Sequence, residues 1–490
     1  MACVLAIDQG TSSSRAIVFD EDLRPLGLGQ RSLPSIYPHD GWVEQDPHTL
    51  WKSVLESGRE AIAQSKVPPS KIEAIGITNQ RETSIIWDAN TSEPCCNAIV
   101  WQDRRTAEIC EQVQSDGLEE LVASQTGLVI DPYFSSTKLK WLLDNPTFRG
   151  LAERGDLRWG TVDSFLVWRL TKGRIHATDA TNASRTQLFD INQNQWSAEL
   201  LKYFGIPRST LPKVMNSMDT FGVADSKWFG REIPILSVVG DQQSALVGQG
   251  CFESGMTKTT YGTGCFLITN TGKHRFDSTA GLLSTIAYRL NDQTTFGVEG
   301  SIFNAGTSIK WLRDKLKFIN AATESEAIAT KIEGNTKGVY VVPAFTGLGA
   351  PHWKPHARAL VCGLTLDSGD DEIVVATLKS VAFQTADLLA AIRQDRIPLS
   401  KMRVDGGMVR NSWFCQFLSD VTELTVDRPM NVETTSTGAA TLALLGLGQI
   451  GDLAEAARMW SLDESFHPTM DTDLRIGEIR GWTEAVRRTF

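Results

Sequence analysis

Val4-Leu-Ala-Ile-Asp8 runs into Gln9-Gly-Thr-Ser-Ser-Ser14 and leaves through Arg15-Ala-Ile-Val-Phe19. Much later, Thr257-Lys-Thr-Thr-Tyr261 runs into Gly262-Thr-Gly264 and leaves through Cys265-Phe-Leu-Ile-Thr269. Each passage reads as strand, tight Gly/Thr/Ser turn, strand. Two such hairpins so far apart point to two similar domains facing one another, although two unrelated hairpins would read the same way. Strand-like runs at 72–77, 84–87 and 233–239 lie between helix-like runs, the pattern of an α/β architecture with helix-covered sheets. A chain of 490 residues exceeds what one core normally supports, so a division into 1–249 and 250–490 is expected.

Two helices bear on function. After Asn304-Ala-Gly306, Ile309, Leu312, Leu316 and Ile319 recur at spacings of three and four. After Asp405-Gly-Gly407, Val409, Trp413, Phe414, Phe417, Leu418 and Val421 do the same. Both helices are predicted to start directly after glycine.

Several functions are excluded or disfavoured. A net charge of −10 argues against nucleic acid or an anionic membrane as the main partner. The eight cysteines form no CxxC pairs, and the opening residues hold no secretory h-region. The apolar stretch 439–447 is too short for a hydrocarbon core of about 30 Å. A reduced, cytoplasmic protein without a membrane span is expected. There is no GxxxxGK[ST] phosphate loop. The single GxGxxG, at Gly446-Leu-Gly448-Gln-Ile-Gly451, follows what reads as the end of a helix, so these glycines are structural. His352 and His356 read as loop residues, because Pro351 and Pro355 break the helix that would align them.

Phosphoryl transfer needs donors for a triphosphate, a nearby Mg²⁺ and a carboxylate beside the acceptor hydroxyl. The turn Gly10-Thr-Ser-Ser13, between Asp8 and Arg15, presents bare N–H groups and short hydroxyls that suit phosphate oxygens. Thr263, Gly306 and Gly407 would supply an opposite wall. Asp241 follows the apolar run 233–239, where ligands of open α/β sheets collect. An Asp there also suits a helix N-cap, and position alone does not separate the two roles.

The segments Asp8-Gln-Gly-Thr-Ser-Ser-Ser-Arg15, Gly76-Ile-Thr-Asn-Gln-Arg-Glu-Thr83, Ile99-Val-Trp-Gln102, Tyr133-Phe-Ser-Ser-Thr-Lys-Leu-Lys-Trp141, Gly240-Asp-Gln-Gln243, Thr260-Tyr-Gly-Thr-Gly-Cys-Phe266 and Asp405-Gly-Gly407 stand in order along the chain. In these it resembles the FGGY carbohydrate kinase family, and within it the members that act on glycerol. The resemblance implies two ribonuclease-H-like domains, similar to the actin-like ATPases, with a cleft between them. It implies ATP-dependent phosphorylation of glycerol to sn-glycerol 3-phosphate, or of a related sugar or polyol, by a homodimer or homotetramer. Asp241 would be the general base. Arg81, Glu82, Trp101, Tyr133, Asp241, Gln242 and Phe266 would bind the polyol. Thr11, Ser12, Ser13, Arg15, Thr263, Gly306, Lys310, Gly407 and Asn411 would bind the nucleotide, and Asp8 with Asp241 would organise Mg²⁺. Lys310 is a departure, standing where these relatives usually carry Gln.

Overall fold

The computed structural model describes residues 2–490. The chain forms two compact units, one from 1–250, 284–296 and 434–459, the other from 251–283, 297–433 and 460–490. Their first boundary lies one residue from the expected cut, while two later segments return to the first unit.

The first unit is built on β1 (Cys3–Gln9), β2 (Ser13–Phe19), β3 (Pro25–Ser32), β4 (Ile72–Asn79), β5 (Val223–Ala224) and β6 (Ile233–Gly240). Their order in the sheet is β5-β6-β4-β1-β2-β3. β1, β4 and β6 run parallel, and the hairpin β1–β2 is antiparallel. Because side chains alternate across a sheet, Cys3, Leu5 and Ile7 join one core with Leu50 and Val54 of the helix Pro47–Ser65. That helix starts where the Asp46 carboxylate accepts the His48 and Thr49 N–H groups, with Pro47 at its first turn. The other face, carrying Ala6 and its register partner Gly76, is covered by the helix Thr434–Gly446. A Cβ at Gly76 would strike the Ala439 carbonyl, so glycine there lets helix and sheet approach closely. This packing ties segment 434–459 to the first unit. The run read at 84–87 forms the strand Ile85–Asp88, which pairs with Leu157–Gly160 outside the main sheet.

A second sheet, most of whose strands belong to the second unit, repeats the motif with β7 (Met256–Tyr261), β8 (Cys265–Gly272), β9 (Leu283–Leu290), β10 (Gln293–Ile302), β11 (Lys401–Asp405), β12 (Val426–Pro429) and β13 (Leu462–Phe466). The order is β9-β10-β8-β7-β11-β12-β13. The antiparallel hairpin β7–β8 lies beside parallel β11, as β1–β2 lies beside parallel β4. The 25-residue helix Asp370–Gln394 has the length and composition of a membrane span. Its Leu378, Val381, Leu388 and Ile392 nevertheless pack with Met402, Val404 and Leu418, which makes it a core helix.

Both functional helices differ from the sequence reading. The first is α-helical over Gly306–Trp311 and then makes one π turn, Leu312–Leu316, ended by left-handed Lys317. Ile319 therefore belongs to the following loop. The second is preceded by a 3₁₀ turn, Gly407–Arg410, and runs over Ser412–Thr422, with Asn411 as N-cap.

Candidate active site

In the first unit the site is built at the carboxyl ends of three parallel strands. Gly240 rather than Asp241 is the N-cap residue of the helix Asp241–Gly248. Its Oδ1 accepts from the Gln242 N–H at 2.7 Å and lies 3.3 Å from Arg81 Nε. The Asp241 side chain keeps 26% of its surface exposed, whereas that of Arg81 keeps 2%. Arg81 also donates to Gln243 Oε1 at 3.2 Å and to the Tyr133 hydroxyl at 3.5 Å. One buried guanidinium thus joins three elements, a use that suits its rigid fork of donors.

Glu82 adopts a φ of 59°, and the Thr83 N–H closes a three-residue turn onto the Arg81 carbonyl at 2.7 Å. Left-handed backbone costs a non-glycine residue about 1–2 kcal/mol. The Ser135 hydroxyl holds the Glu82 carbonyl at 3.0 Å, and Arg185 Nε donates to Glu82 Oε1 at 2.8 Å. Trp101 meets Tyr133 edge to face at 5.6 Å and donates its indole N–H to Thr11 Oγ1 at 2.9 Å. Gln242 is buried beside Asp241. Beneath this surface Lys138, wholly buried, donates to the Tyr133 and Phe134 carbonyls at 2.6 and 3.2 Å. Burial pushes its ammonium down to about 8, against the opposing pull of Glu82, Asp103 and Asp131.

The turn at the end of β1 is closed by the Gly10 N–H on the Ser13 carbonyl at 3.0 Å. Ser12 is exposed at its tip, with Thr11, Ser13 and Arg15 partly so. Ser13 and Arg15 both engage Gln30. Gln45 donates to the Thr11 carbonyl at 2.6 Å and accepts from Gln80 at 2.9 Å, linking this turn to the segment that carries Arg81. Asp8, opposite Arg15 in register, accepts from the Ser436 hydroxyl at 3.4 Å.

In the second unit the Thr263 carbonyl accepts the Ala305 and Thr307 N–H groups at 3.1 Å, and the Gly262 carbonyl accepts the Gly306 N–H at 3.0 Å. A Cβ at Gly306 would sit 2.5 Å from that carbonyl. Gly406, at φ 93°, packs against Tyr261 and leaves Gly407 exposed. The unit thereby gathers Thr263, Gly306 and Gly407 around the end of β7. Asn411 caps its helix through Oδ1, accepting from Phe414 N–H at 2.8 Å. Lys310 is exposed one turn beyond Gly306. Phe266, of the polyol set, lies on β8 of this unit, and the other six lie in the first.

Residues 3–248 match the N-terminal domain of the FGGY family of carbohydrate kinases, and residues 257–447 match its C-terminal domain. The chain belongs to the FGGY carbohydrate kinase family. A glycerol kinase of Rhodospirillum centenum is 53% identical, covering 99% of this chain and 98% of its own. Glycerol kinase 1 of Pseudomonas aeruginosa is 52% identical with the same coverage. The crystal structure of Plasmodium falciparum glycerol kinase with ADP superposes with a TM-score of 0.92 at 38% identity, covering 100% of this chain and 98% of its own. A xylulose kinase of Lactobacillus acidophilus shares the fold at a TM-score of 0.89 and 20% identity, over 99% of this chain and 97% of its own.

Arg185, Gln243 and Ser436 contact the candidate site residues Glu82, Arg81 and Asp8 in turn, and the sequence assigned them no role. Gln243 stands inside a family segment and was within reach. Arg185 and Ser436 carry no local pattern that sets them apart.

Proposed function

We propose that the protein phosphorylates glycerol, moving the γ-phosphoryl group of ATP to a terminal hydroxyl to give sn-glycerol 3-phosphate. One observation carries this reading. The buried Arg81 guanidinium ties Tyr133 and Gln243 to Asp241, the part-exposed carboxylate at a strand end. Glycerol offers three hydroxyls and little apolar surface, so recognition depends on fixed donors and acceptors. Arg81 donates, Glu82 and Asp241 accept, and Trp101, Tyr133 and Phe266 offer aromatic faces for its CH groups. Asp241 takes the hydroxyl proton as the oxygen bonds to the γ-phosphorus and the bond to the β-phosphate oxygen breaks. Thr11, Ser12, Ser13 and Arg15, with Thr263, Gly306, Lys310, Gly407 and Asn411, bind the nucleotide.

A magnesium ion fits the donor set. Asp8 and Asp241 are both partly exposed at the ends of strands that flank β4, which separates their backbones by about 10 Å, two strand spacings. That separation suits an ion held largely through water. Bound there, the ion would neutralise charge on the transferring phosphate. The family resemblance implies a homodimer or homotetramer, and eight cysteines with no disulfide among them suit the cytoplasm.

An ATP-coupled assay over glycerol, dihydroxyacetone and several ketopentoses tests the reading. Glycerol should give the highest kcat/KM. A clear preference for a pentose would transfer the assignment to another FGGY activity.

A further inference from the structure

The polyol surface contains two arginine–carboxylate couples, and they differ in kind. Arg81 faces the part-exposed Asp241, and its donors are shared with Tyr133 and Gln243. Arg185 and Glu82 are both shut away, with side-chain exposures of 0% and 2%. A carboxylate removed from water stays ionised only if a cation or several donors compensate it. Arg185 Nε supplies such compensation at 2.8 Å, while Arg81 Nε stands farther off, at 3.9 Å from the same oxygen.

The guanidinium of Arg185 is itself held by rings, 5.7 Å from the centroid of Tyr133 and 5.3 Å from that of Phe134. Cations placed so are attracted to the ring faces. Arg185 therefore bridges two residues of the proposed polyol surface, Glu82 through a charged hydrogen bond and Tyr133 through its ring. Glu82, meanwhile, sits in a left-handed turn that its own backbone does not favour.

We infer that Arg185 is a positioning and specificity-determining residue, which holds Glu82 oriented to accept a substrate hydroxyl. This rests on the reading of Glu82 as a glycerol acceptor. Lysine would retain the charge without the planar fork or the ring contact, so charge alone should not suffice.

The test compares wild type, Arg185→Lys and Phe134→Leu, measuring kcat, KM for glycerol and for ATP, and the thermal midpoint. Arg185→Lys should raise the glycerol KM at least about tenfold while kcat and the ATP KM stay within about twofold. It should also narrow the preference for glycerol over propane-1,2-diol, because rejecting a missing hydroxyl depends on a fixed partner left unpaired. A purely structural role would instead lower the midpoint and the active fraction with the glycerol KM unchanged, and that result overturns the inference. If Arg185→Lys does not fold, Phe134→Leu decides. It removes one ring wall without altering charge and should raise the glycerol KM about two- to fivefold; an unchanged KM overturns the inference. Failure of wild type to turn over glycerol would sink the substrate reading instead, so the two failures are separable.

Discussion

The hairpins β1–β2 and β7–β8 share one topology, each beside a parallel third strand, yet their surroundings are opposite in chemistry. Near the first lie side-chain charges, with Asp8 and Arg15 paired across the hairpin and Arg81, Glu82 and Asp241 just beyond the ends of β4 and β6. Around the second lie backbone groups and glycines, where Gly262, Gly306 and Gly406 bring main chain against main chain. A small neutral polyol is recognised through donors and acceptors of fixed direction, which side chains supply. A phosphate chain is held well by bare N–H groups and close backbone approach. The scaffold was repeated, and what differs is which kind of group each copy presents.

If that contrast is right, the largest effect comes from the charged side of the first unit. Asp241→Ala should lower kcat at least about a hundredfold, the lower end for loss of a general base, with ATP binding retained by calorimetry. Turnover near the normal rate would remove Asp241 from the chemistry. Arg81→Gln should come next, raising the glycerol KM about thirtyfold through loss of a charged donor, with the ATP KM unchanged. Equal rises in both KM values would show that Arg81 does not serve the polyol alone.

Much of this contrast was legible in the residues. The strand–turn–strand runs at 4–19 and 257–269 are locally determined, because alternating apolar residues and Gly/Ser/Thr turns are enough to specify a hairpin. Asp241 was legible as a strand-end acid, while its role as cap or base was not. That Gly240 rather than Asp241 is the N-cap depends on backbone angles at one residue. The return of segment 434–459 to the first unit was also hidden, because it depends on glycines far apart in sequence, Gly76 against Ala439 among them. Arg185 shows the same limit. Its partner Glu82 lies about a hundred residues earlier, and no spacing rule connects them. The helix from Gly306 read too long because Lys317 turns left-handed, which apolar periodicity does not register.

The remaining predictions probe the glycine-rich side. Gly306→Ala would put a Cβ 2.5 Å from the Gly262 carbonyl and push the two segments apart. The ATP KM should rise about five- to tenfold from such a misplacement, with the glycerol KM unaffected. An unaffected ATP KM would show that this junction does not shape the nucleotide site.

Lys310 should give the smallest change. It is exposed, and its charge sets this wall apart from a purely backbone surface. An exposed cation acts on phosphate through a field that salt screens over about 10 Å at 0.1 M. Lys310→Gln should therefore alter the ATP KM by no more than about threefold at ordinary ionic strength, and flatten its dependence on added salt. A rise beyond about tenfold that persists in high salt would make Lys310 a direct phosphate ligand. In that case the second hairpin would work through a side-chain charge, as the first does, and the contrast between them would fail.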